Sequence, residues 1–147
     1  MTSRYFLPAT IAASLSLISC AGPVEENVAG SEPAEEAPLP APSTIMGEWR
    51  VAGVDGQAID LPHAMTVSID NDTVQLVSQC LTPRWSYEYA GGALITTSTP
   101  EPVCERERYD EEVAAIAAFD AAEKVDRTPE NGLRLSGGGH TVTLFSQ

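Results

Sequence analysis

The sequence has few basic and few aromatic residues. Its 147 residues contain 8 Lys and Arg against 21 Asp and Glu, a formal net charge of −13 at pH 7, and only 6% are aromatic. Nucleic-acid-binding proteins neutralise phosphates with clustered Lys and Arg, so this composition excludes nucleic acid as a partner. A protein partner is expected to be cationic or neutral. The length fits one domain with additional segments and argues against a two-domain enzyme.

Residues that carry catalysis or bind metals are also scarce. The chain has only two His, His63 and His140, although a hydrolase needs a base beside its nucleophile. Both lie in predicted loops, where we expect them to be exposed and not catalytic. The ligand spacings of zinc sites are missing. We therefore predict no catalytic residue, no metal site and no cofactor. A pair of carboxylates that hydrolyses a glycoside stays open, because their separation depends on the tertiary structure.

The first twenty residues have the pattern of a secretory signal. Arg4 precedes an apolar stretch, and the small residue Ser19 precedes Cys20, as at a signal cleavage site. The apolar stretch is shorter than the roughly 20 residues that span a membrane. The segment Leu17-Ile18-Ser19-Cys20 resembles the lipobox of bacterial lipoproteins, which implies removal of residues 1–19 and acylation of Cys20. The alternative is an ordinary signal peptide that ends in Cys by chance.

The lipobox resemblance also implies a location. An acylated Cys20 would hold the chain at a membrane, because two or more acyl chains form a stable anchor. Ala21 follows the Cys and resembles the sorting residue of outer-membrane lipoproteins. We therefore expect an outer-membrane lipoprotein that faces the periplasm.

Residues 20–44 are predicted to form the acylated start of the mature chain and a disordered acidic tether. Residues 21–44 contain five Pro and five Glu, and neither Lys, Arg nor an aromatic residue. Such a segment cannot bury enough apolar surface to offset the entropy lost on ordering. The alternative is a loosely packed start of the following domain.

Residues 45–147 are predicted to form a mainly β domain with one helix. Short alternating segments separated by turn residues predict antiparallel hairpins, such as those that turn at residues 70–72 and 137–139. Residues 105–124 contain no Gly or Pro and have apolar residues three or four positions apart, which predicts an amphipathic helix. Its acidic start and Lys124 near its end would oppose the helix dipole. The predicted apolar face consists of Tyr109, Val113, Ile116 and Phe119.

Two cysteines remain once Cys20 is assigned to lipid. Cys80 follows a predicted strand and Cys104 precedes the predicted helix. An even pair in an oxidising compartment favours a disulfide, which would stabilise the fold by about 3 kcal/mol in the chain-entropy model. Two free buried thiols, or a redox or metal site, are the alternatives.

Several features of the domain occur together in one known family. A Gly-x-Trp strand opens at Gly47 and Trp49, a turn follows at residues 54–57, and the two Cys flank the middle of the domain. With the helix core at residues 115–119 and the closing hairpin, this pattern over residues 46–145 resembles the META family of small bacterial envelope proteins, which includes the lipoprotein HslJ. Where that family usually has Gly-Cys-Asn around the first Cys, this chain has Gln79-Cys80-Leu81.

The resemblance implies a compact antiparallel β-barrel-like META fold with one packed helix, no known catalytic activity, and a role in envelope stress or resistance. We therefore predict a membrane-anchored, non-catalytic binding or assembly module. One alternative is an acidic β-barrel inhibitor of the lysozyme-inhibitor type. Another is a lipocalin-like binder of a small amphipathic ligand, because lipocalins also begin with Gly-x-Trp. The candidate pocket walls or core residues are Trp49, Trp85, Tyr87 and Tyr89.

Overall fold

The chain forms a closed antiparallel β-barrel with one α-helix. A computed structural model describes residues 39–100 and 102–147. The predicted signal, Cys20 and the predicted tether up to residue 38 lie outside the described residues. The elements are, in chain order, β1 (Gly47–Val54), β2 (Gln57–Ala58), β3 (Thr66–Ile69), β4 (Thr73–Val77), β5 (Arg84–Ala90), β6 (Ala93–Thr99), α1 (Asp110–Asp120), β7 (Ala122–Arg127), β8 (Leu133–Gly137) and β9 (His140–Ser146).

The strands follow one another around the barrel in sequence order. Strand β1 pairs with β3, each later strand pairs with the next, and β9 returns to pair with β1. The two-residue strand β2 lies beside β1 and outside the ring of eight strands. The predicted fold class, mainly β with one helix in an antiparallel barrel, is confirmed.

Alternation along the strands places every second side chain in the barrel interior. In the β3–β4 hairpin, buried Val67 pairs with buried Leu76, and buried Ile69 pairs with buried Val74. The β5–β6 hairpin turns at residues 91–92, two glycines with positive φ, which avoid the clash that a Cβ would cause there. The β3–β4 hairpin, and the β8–β9 hairpin that turns at residues 138–139, lie where the sequence predicts them.

Large apolar side chains fill the interior. The rings of Trp85 and Phe119 stack with their centroids 5.0 Å apart, and the indole Nε1 of Trp85 donates to Asp120 Oδ1 at 2.8 Å. Full burial of such a side chain contributes about 1.5 to 3 kcal/mol. Other buried core residues are Val51, Met65, Leu94, Ala115, Leu133, Leu135, Val142 and Leu144.

The helix is shorter than predicted. It spans Asp110–Asp120, whereas the sequence predicts a helix over residues 105–124. Lys124 lies in β7, not near the helix end, because residues 122–127 pair with β8, a partner strand that the local apolar spacing does not reveal. Within residues 39–100 and 102–147, no helix is long and apolar enough to cross a membrane.

The buried face of α1 also differs from the prediction. Tyr109 and Val113, predicted to face the core, are 42% and 51% exposed. Ile116 and Phe119 are buried as predicted. Glu112 is buried on the same face, so a charged residue takes a place that the apolar pattern assigned to Val113.

The helix covers one end of the barrel. It joins the end of β6 to the start of β7 and packs against β1, β6, β8 and β9. A Cβ on Gly137 would lie 2.2 Å from the Ala121 carbonyl oxygen. Glycine at this position therefore allows the β8–β9 turn to approach the end of α1.

Contacts with the barrel begin before the predicted domain start at Ile45. Pro42 is buried, and its carbonyl oxygen accepts a hydrogen bond from the Tyr89 hydroxyl at 2.5 Å. The methyl group of Ala41 lies against Gly92 in the β5–β6 turn. Residues 41–42, assigned to the tether from composition, therefore pack on the barrel.

Candidate functional site

A buried ion pair lies at the start of α1. The carboxylate of Glu112 is 0% exposed and accepts hydrogen bonds from Arg106, Nη2 to Oε1 at 2.5 Å and Nη1 to Oε2 at 2.8 Å. The backbone N–H of Tyr109 donates to Oε2 at 2.9 Å. Arg106 Nη2 also donates to the Ser78 carbonyl oxygen at 3.1 Å. The two-point pairing joins the loop before α1 to α1 itself, and the bond to Ser78 joins that loop to the segment that follows β4.

Two further side chains complete what we call the Glu112 cluster, formed by His63, Ser78, Arg106 and Glu112. The hydroxyl of Ser78 is fully buried and donates to Glu112 Oε1 at 2.5 Å. His63 Nε2 lies 2.8 Å from Ser78 Oγ and 3.3 Å from Glu112 Oε1. The prediction of an exposed His63 was wrong, because the loop after β2 packs its side chain, which is 12% exposed, against these two groups.

Hydrogen bonds keep the Glu112 carboxyl ionised despite its burial. Burial alone raises its pKa, but the hydrogen bonds that it accepts, first from Arg106 and then from Ser78, lower the pKa by more. The Tyr109 backbone N–H and His63 act in the same direction. The pKa of Glu112 is about 2, compared with an ordinary value of 4.5.

The cluster contains the residue types of a hydrolytic triad in a different arrangement. In a triad, serine donates to His Nε2 and the other ring nitrogen donates to the acid. Here Ser78 donates directly to Glu112, and the acid contacts the same Nε2 that faces the serine. His63 Nδ1 is buried with no hydrogen-bond partner among the described residues. The arrangement suits holding three segments of chain together better than activating a nucleophile.

The predicted disulfide is present beside this cluster. Cys80 and Cys104 are bonded, with their Cα atoms 5.6 Å apart. Cys80 lies two residues after Ser78, and Cys104 lies two residues before Arg106. The disulfide and the hydrogen bond from Arg106 to the Ser78 carbonyl oxygen therefore join the same two segments.

A second polar pair joins two turns at the helix-covered end of the barrel. His140 Nδ1 lies 2.8 Å from Asp55 Oδ2, and the Thr141 N–H donates to Asp55 Oδ1 at 2.8 Å. The hydrogen bond from His140, followed by that from Thr141, lowers the pKa of the Asp55 carboxyl. His140, predicted at an exposed hairpin tip, begins β9 directly after the turn, and its side chain is 37% exposed.

The four aromatic residues singled out from the sequence lie at different depths. Trp85 is fully buried. Trp49, Tyr87 and Tyr89 are half-buried against the core, and each has a backbone partner: Trp49 Nε1 donates to Ile45 O at 3.0 Å, and the Tyr87 hydroxyl donates to Asp70 O at 2.7 Å. Trp85 therefore belongs to the core, and the other three side chains pack at the edge of the core.

The outer face of α1 borders an open groove of about 470 Å³. Its apolar part is formed by Val54, Val113 and Ala114, and its polar part by Asp55, Gln57, Asp110, Glu111 and His140. Val113, half of whose surface is exposed, is the large apolar side chain that α1 contributes. We call this surface the helix groove.

The chain matches one known protein family. The family model described as the META domain matches residues 43–147, more than half of the chain. The chain belongs to the META domain family. The match begins near buried Pro42 and includes the whole barrel, so the META domain and the described fold coincide. Comparison with curated proteins and with solved structures finds no match.

The META domain of this chain departs from the usual Gly-Cys-Asn at a position where the backbone φ is positive. Gln79, where the family usually has Gly, has φ of 56°, a left-handed conformation that favours glycine. The hydrogen bonds exchanged by the Ser78 and Leu81 backbones enclose this position. The tight turn is therefore formed with glutamine, and Cys80 is still presented to Cys104.

Sequence reasoning missed Arg106, Ser78 and Glu112 as members of one site. One signal was available, because Glu112 lies three, four and seven residues before buried helix residues and is therefore in phase with the core face. A carboxylate on that face needs a partner. Among residues 39–100 and 102–147, no group of three or more His, Cys, Asp or Glu side chains could hold a metal ion.

Proposed function

We propose that this protein is an outer-membrane lipoprotein whose META domain is a non-catalytic binding module facing the periplasm. The segment Leu17-Ile18-Ser19-Cys20 supports the anchor, because it has the residues of a lipobox in order. The acylated chain would then hold the barrel at the membrane through an acidic tether. The partner is a cationic or neutral envelope protein, and nucleic acid is excluded by the net charge of −13.

One observation carries the binding function: α1 has apolar side chains on both faces. Its inner face, with Ile116 and Phe119, is used by the core. On its outer face Val113 is 51% exposed and lies in the helix groove, and Tyr109, the residue that caps the start of α1, is 42% exposed. Exposed apolar surface at a groove marks interaction sites in soluble domains.

The geometry of the Glu112 cluster supports a role without catalysis. Ser78 is 0% exposed and its proton is directed to Glu112 rather than to a histidine. A substrate carbonyl would have to reach this buried oxygen through the packed end of the barrel. The cluster is therefore assigned a structural role, which is to hold α1 and the loop before it on the barrel.

The same packing argues against the two alternatives. A lipocalin-like binder needs space inside the barrel, but Trp85, Phe119 and Leu94 fill the interior. An inhibitor that inserts the His140 turn into an enzyme cleft needs that turn to protrude. Instead, the Asp55–His140 pair holds the turn beside the β1–β2 turn, and the close approach at Gly137 holds it against the end of α1.

The anchor is tested by Cys20→Ala in the native host. We expect the variant to leave the membrane fraction, or to retain residues 1–19, because it has no sulfur to acylate. Cell fractionation and the intact mass of the protein give both results. Cys80→Ser serves as the matched cysteine control and should stay in the membrane. An unchanged membrane level of Cys20→Ala with normal processing would overturn the anchor.

The binding function is tested by native mass spectrometry of the acylated protein extracted from its own membranes. A co-purifying basic or neutral protein supports the proposal. A small adduct retained by the domain favours the lipocalin-like alternative. A bare monomer under conditions that preserve known envelope complexes contradicts a binding module.

A further inference from the structure

We propose that the helix groove binds a segment of a cationic protein in which an apolar side chain is flanked by Lys or Arg. This inference rests on the proposed binding function and names its surface and its partner class. The apolar side chain would contact Val113, and the flanking cations would face the carboxylates of Asp110 and Glu111. Each feature of the partner follows from a feature of the groove.

The apolar contact follows from the exposure of Val113. It is 51% exposed beside Val54 and Ala114, and those two residues are themselves packed into or against the core. The surface is therefore a rigid apolar strip. Such a strip gains free energy when an apolar group covers it.

The positive charge of the partner follows from the groups around that strip. Asp55, Asp110 and Glu111 line the groove, and none of its lining residues in the described part of the chain is Lys or Arg. His140 is engaged by Asp55, which holds that carboxylate in place. At Asp55 an incoming cation would meet a carboxylate that is already positioned, so less ordering entropy is lost there on binding.

The same charges exclude two other occupants. A second copy of the chain would bring three more carboxylates to the groove, and each copy has a net charge of −13, so self-association through this surface is repulsive. An anionic membrane surface is repelled for the same reason. A cationic protein segment is the partner that satisfies both the apolar strip and the acidic rim.

The test uses the full chain in phosphatidylcholine nanodiscs and a short fluorescent peptide that has two leucines flanked by lysines. Fluorescence anisotropy gives the Kd, with empty nanodiscs as the background. We expect binding that weakens as salt is added and that disappears for a twin peptide with glutamate in place of lysine. Equal binding of the two peptides, or none of either, would overturn the proposal.

Variants then locate the site. We expect Glu111→Lys to weaken Kd by about tenfold or more and Val113→Gln to weaken it severalfold. The matched controls are Glu88→Lys and Ile95→Gln, on outer positions that face each other in β5 and β6. Glu111→Gln removes the same charge and keeps the helix start intact. If both Glu111 variants weaken binding no more than Glu88→Lys does, the groove is not the site. The Cys20→Ala fractionation and native mass spectrometry report on the proposed function independently of this result.

Discussion

At the scale of single residues, burial of a carboxylate is unfavourable by several kcal/mol unless charged and hydrogen-bonding groups compensate for lost water. Glu112 has such compensation on every side, from Arg106, Ser78, His63 and the Tyr109 backbone. Its charge therefore depends on two chain segments far from it in sequence. The ionisation of Glu112 therefore depends on whether these segments are packed together.

The unfolding free energy should fall in acid, because Glu112 becomes protonated. Its pKa is about 2 in the folded chain and 4.5 ordinarily, so the unfolded chain binds the proton first and stabilisation disappears as pH falls from 4.5 towards 2. The shift corresponds to about 3 kcal/mol. Urea denaturation at a series of pH values measures it. Glu112→Gln should lower the unfolding free energy at pH 7 by about 3 to 5 kcal/mol and flatten the pH dependence below pH 4.5.

Glu111→Gln is the control for this prediction, because it changes the neighbouring carboxylate in the same helical turn and lies outside the cluster. It should change the unfolding free energy by no more than about 0.5 kcal/mol. A Glu112→Gln variant with the acid dependence of the parent would contradict the assignment of that dependence to Glu112.

At the scale of elements, the loop before α1 is attached to the chain after β4 by two different bonds. One is the Cys80–Cys104 disulfide, and the other is the hydrogen bond from Arg106 to the Ser78 carbonyl oxygen, two residues away along each segment. Arg106 also pairs with Glu112 of α1. Each restricts the loop, so each makes the other easier to form. This arrangement predicts that the two interactions are coupled in energy.

A double-mutant cycle tests this coupling. Cys80→Ser should lower the unfolding free energy by about 3 to 4 kcal/mol, because the loop it closes is lost. Arg106→Met should lower it by about 3 to 5 kcal/mol by leaving Glu112 unpaired. The double variant should lose less than the sum, by about 0.5 to 3 kcal/mol, in urea denaturation without reductant.

Reductant supplies the control for the cycle. The parent chain with its disulfide reduced should match Cys80→Ser, and Cys80→Ser itself should not respond to reductant. Strictly additive losses in the cycle would show that the two bonds stabilise the loop independently.

At the scale of the whole molecule, closure of the barrel depends on its first and last strands. Strand β9 pairs with β1 over five residue pairs, with a register shift between Val51 and Gly53. In β9, Leu144 pairs with Val51 of β1 and Leu133 of β8, and all three are buried. One interior position thus connects both sides of the closing strand.

Leu144→Ala should therefore be strongly destabilising. We expect the unfolding free energy to fall by about 2 to 5 kcal/mol, since a cavity forms in the interior next to the closing pair. Thr143→Ala, at the outward-facing neighbour, is the control and should change it by no more than about 1 kcal/mol. Urea denaturation followed by tryptophan fluorescence measures both. Equal losses would place Leu144 outside the sealed interior.

Much of the fold could be predicted from the sequence because its determinants are local. The β3–β4 hairpin follows from alternation around residues 70–72, and the β5–β6 hairpin follows from two glycines at residues 91–92. The sequence predicted a helix over residues 105–124, but the helix in the structure is shorter. Residues 122–124 lie in β7, which pairs with β8, and pairing with a strand later in the chain is not visible in local apolar spacing.

The candidate sites depended more on tertiary structure. Burial of Trp85 and proximity of Cys80 to Cys104 agree with what residue type and cysteine number suggested. The Glu112 cluster unites residues 63, 78, 106 and 112, and His63 was predicted to be exposed. No sequence spacing connects these four, because they lie in the loop after β2, the segment after β4, the loop before α1 and α1 itself, which only the tertiary structure brings together.

The sequence by itself determined the β hairpins, the presence of one helix and the membership of the META domain family, because alternation, turn residues and helix formers act over a few neighbouring residues. The tertiary structure alone decided where α1 ends, which of its faces stays open to solvent, and that an ionised Glu112 is buried. Those three features depend on contacts between residues distant in the chain. Their energies arise only once β7 pairs with β8 and α1 packs against the barrel.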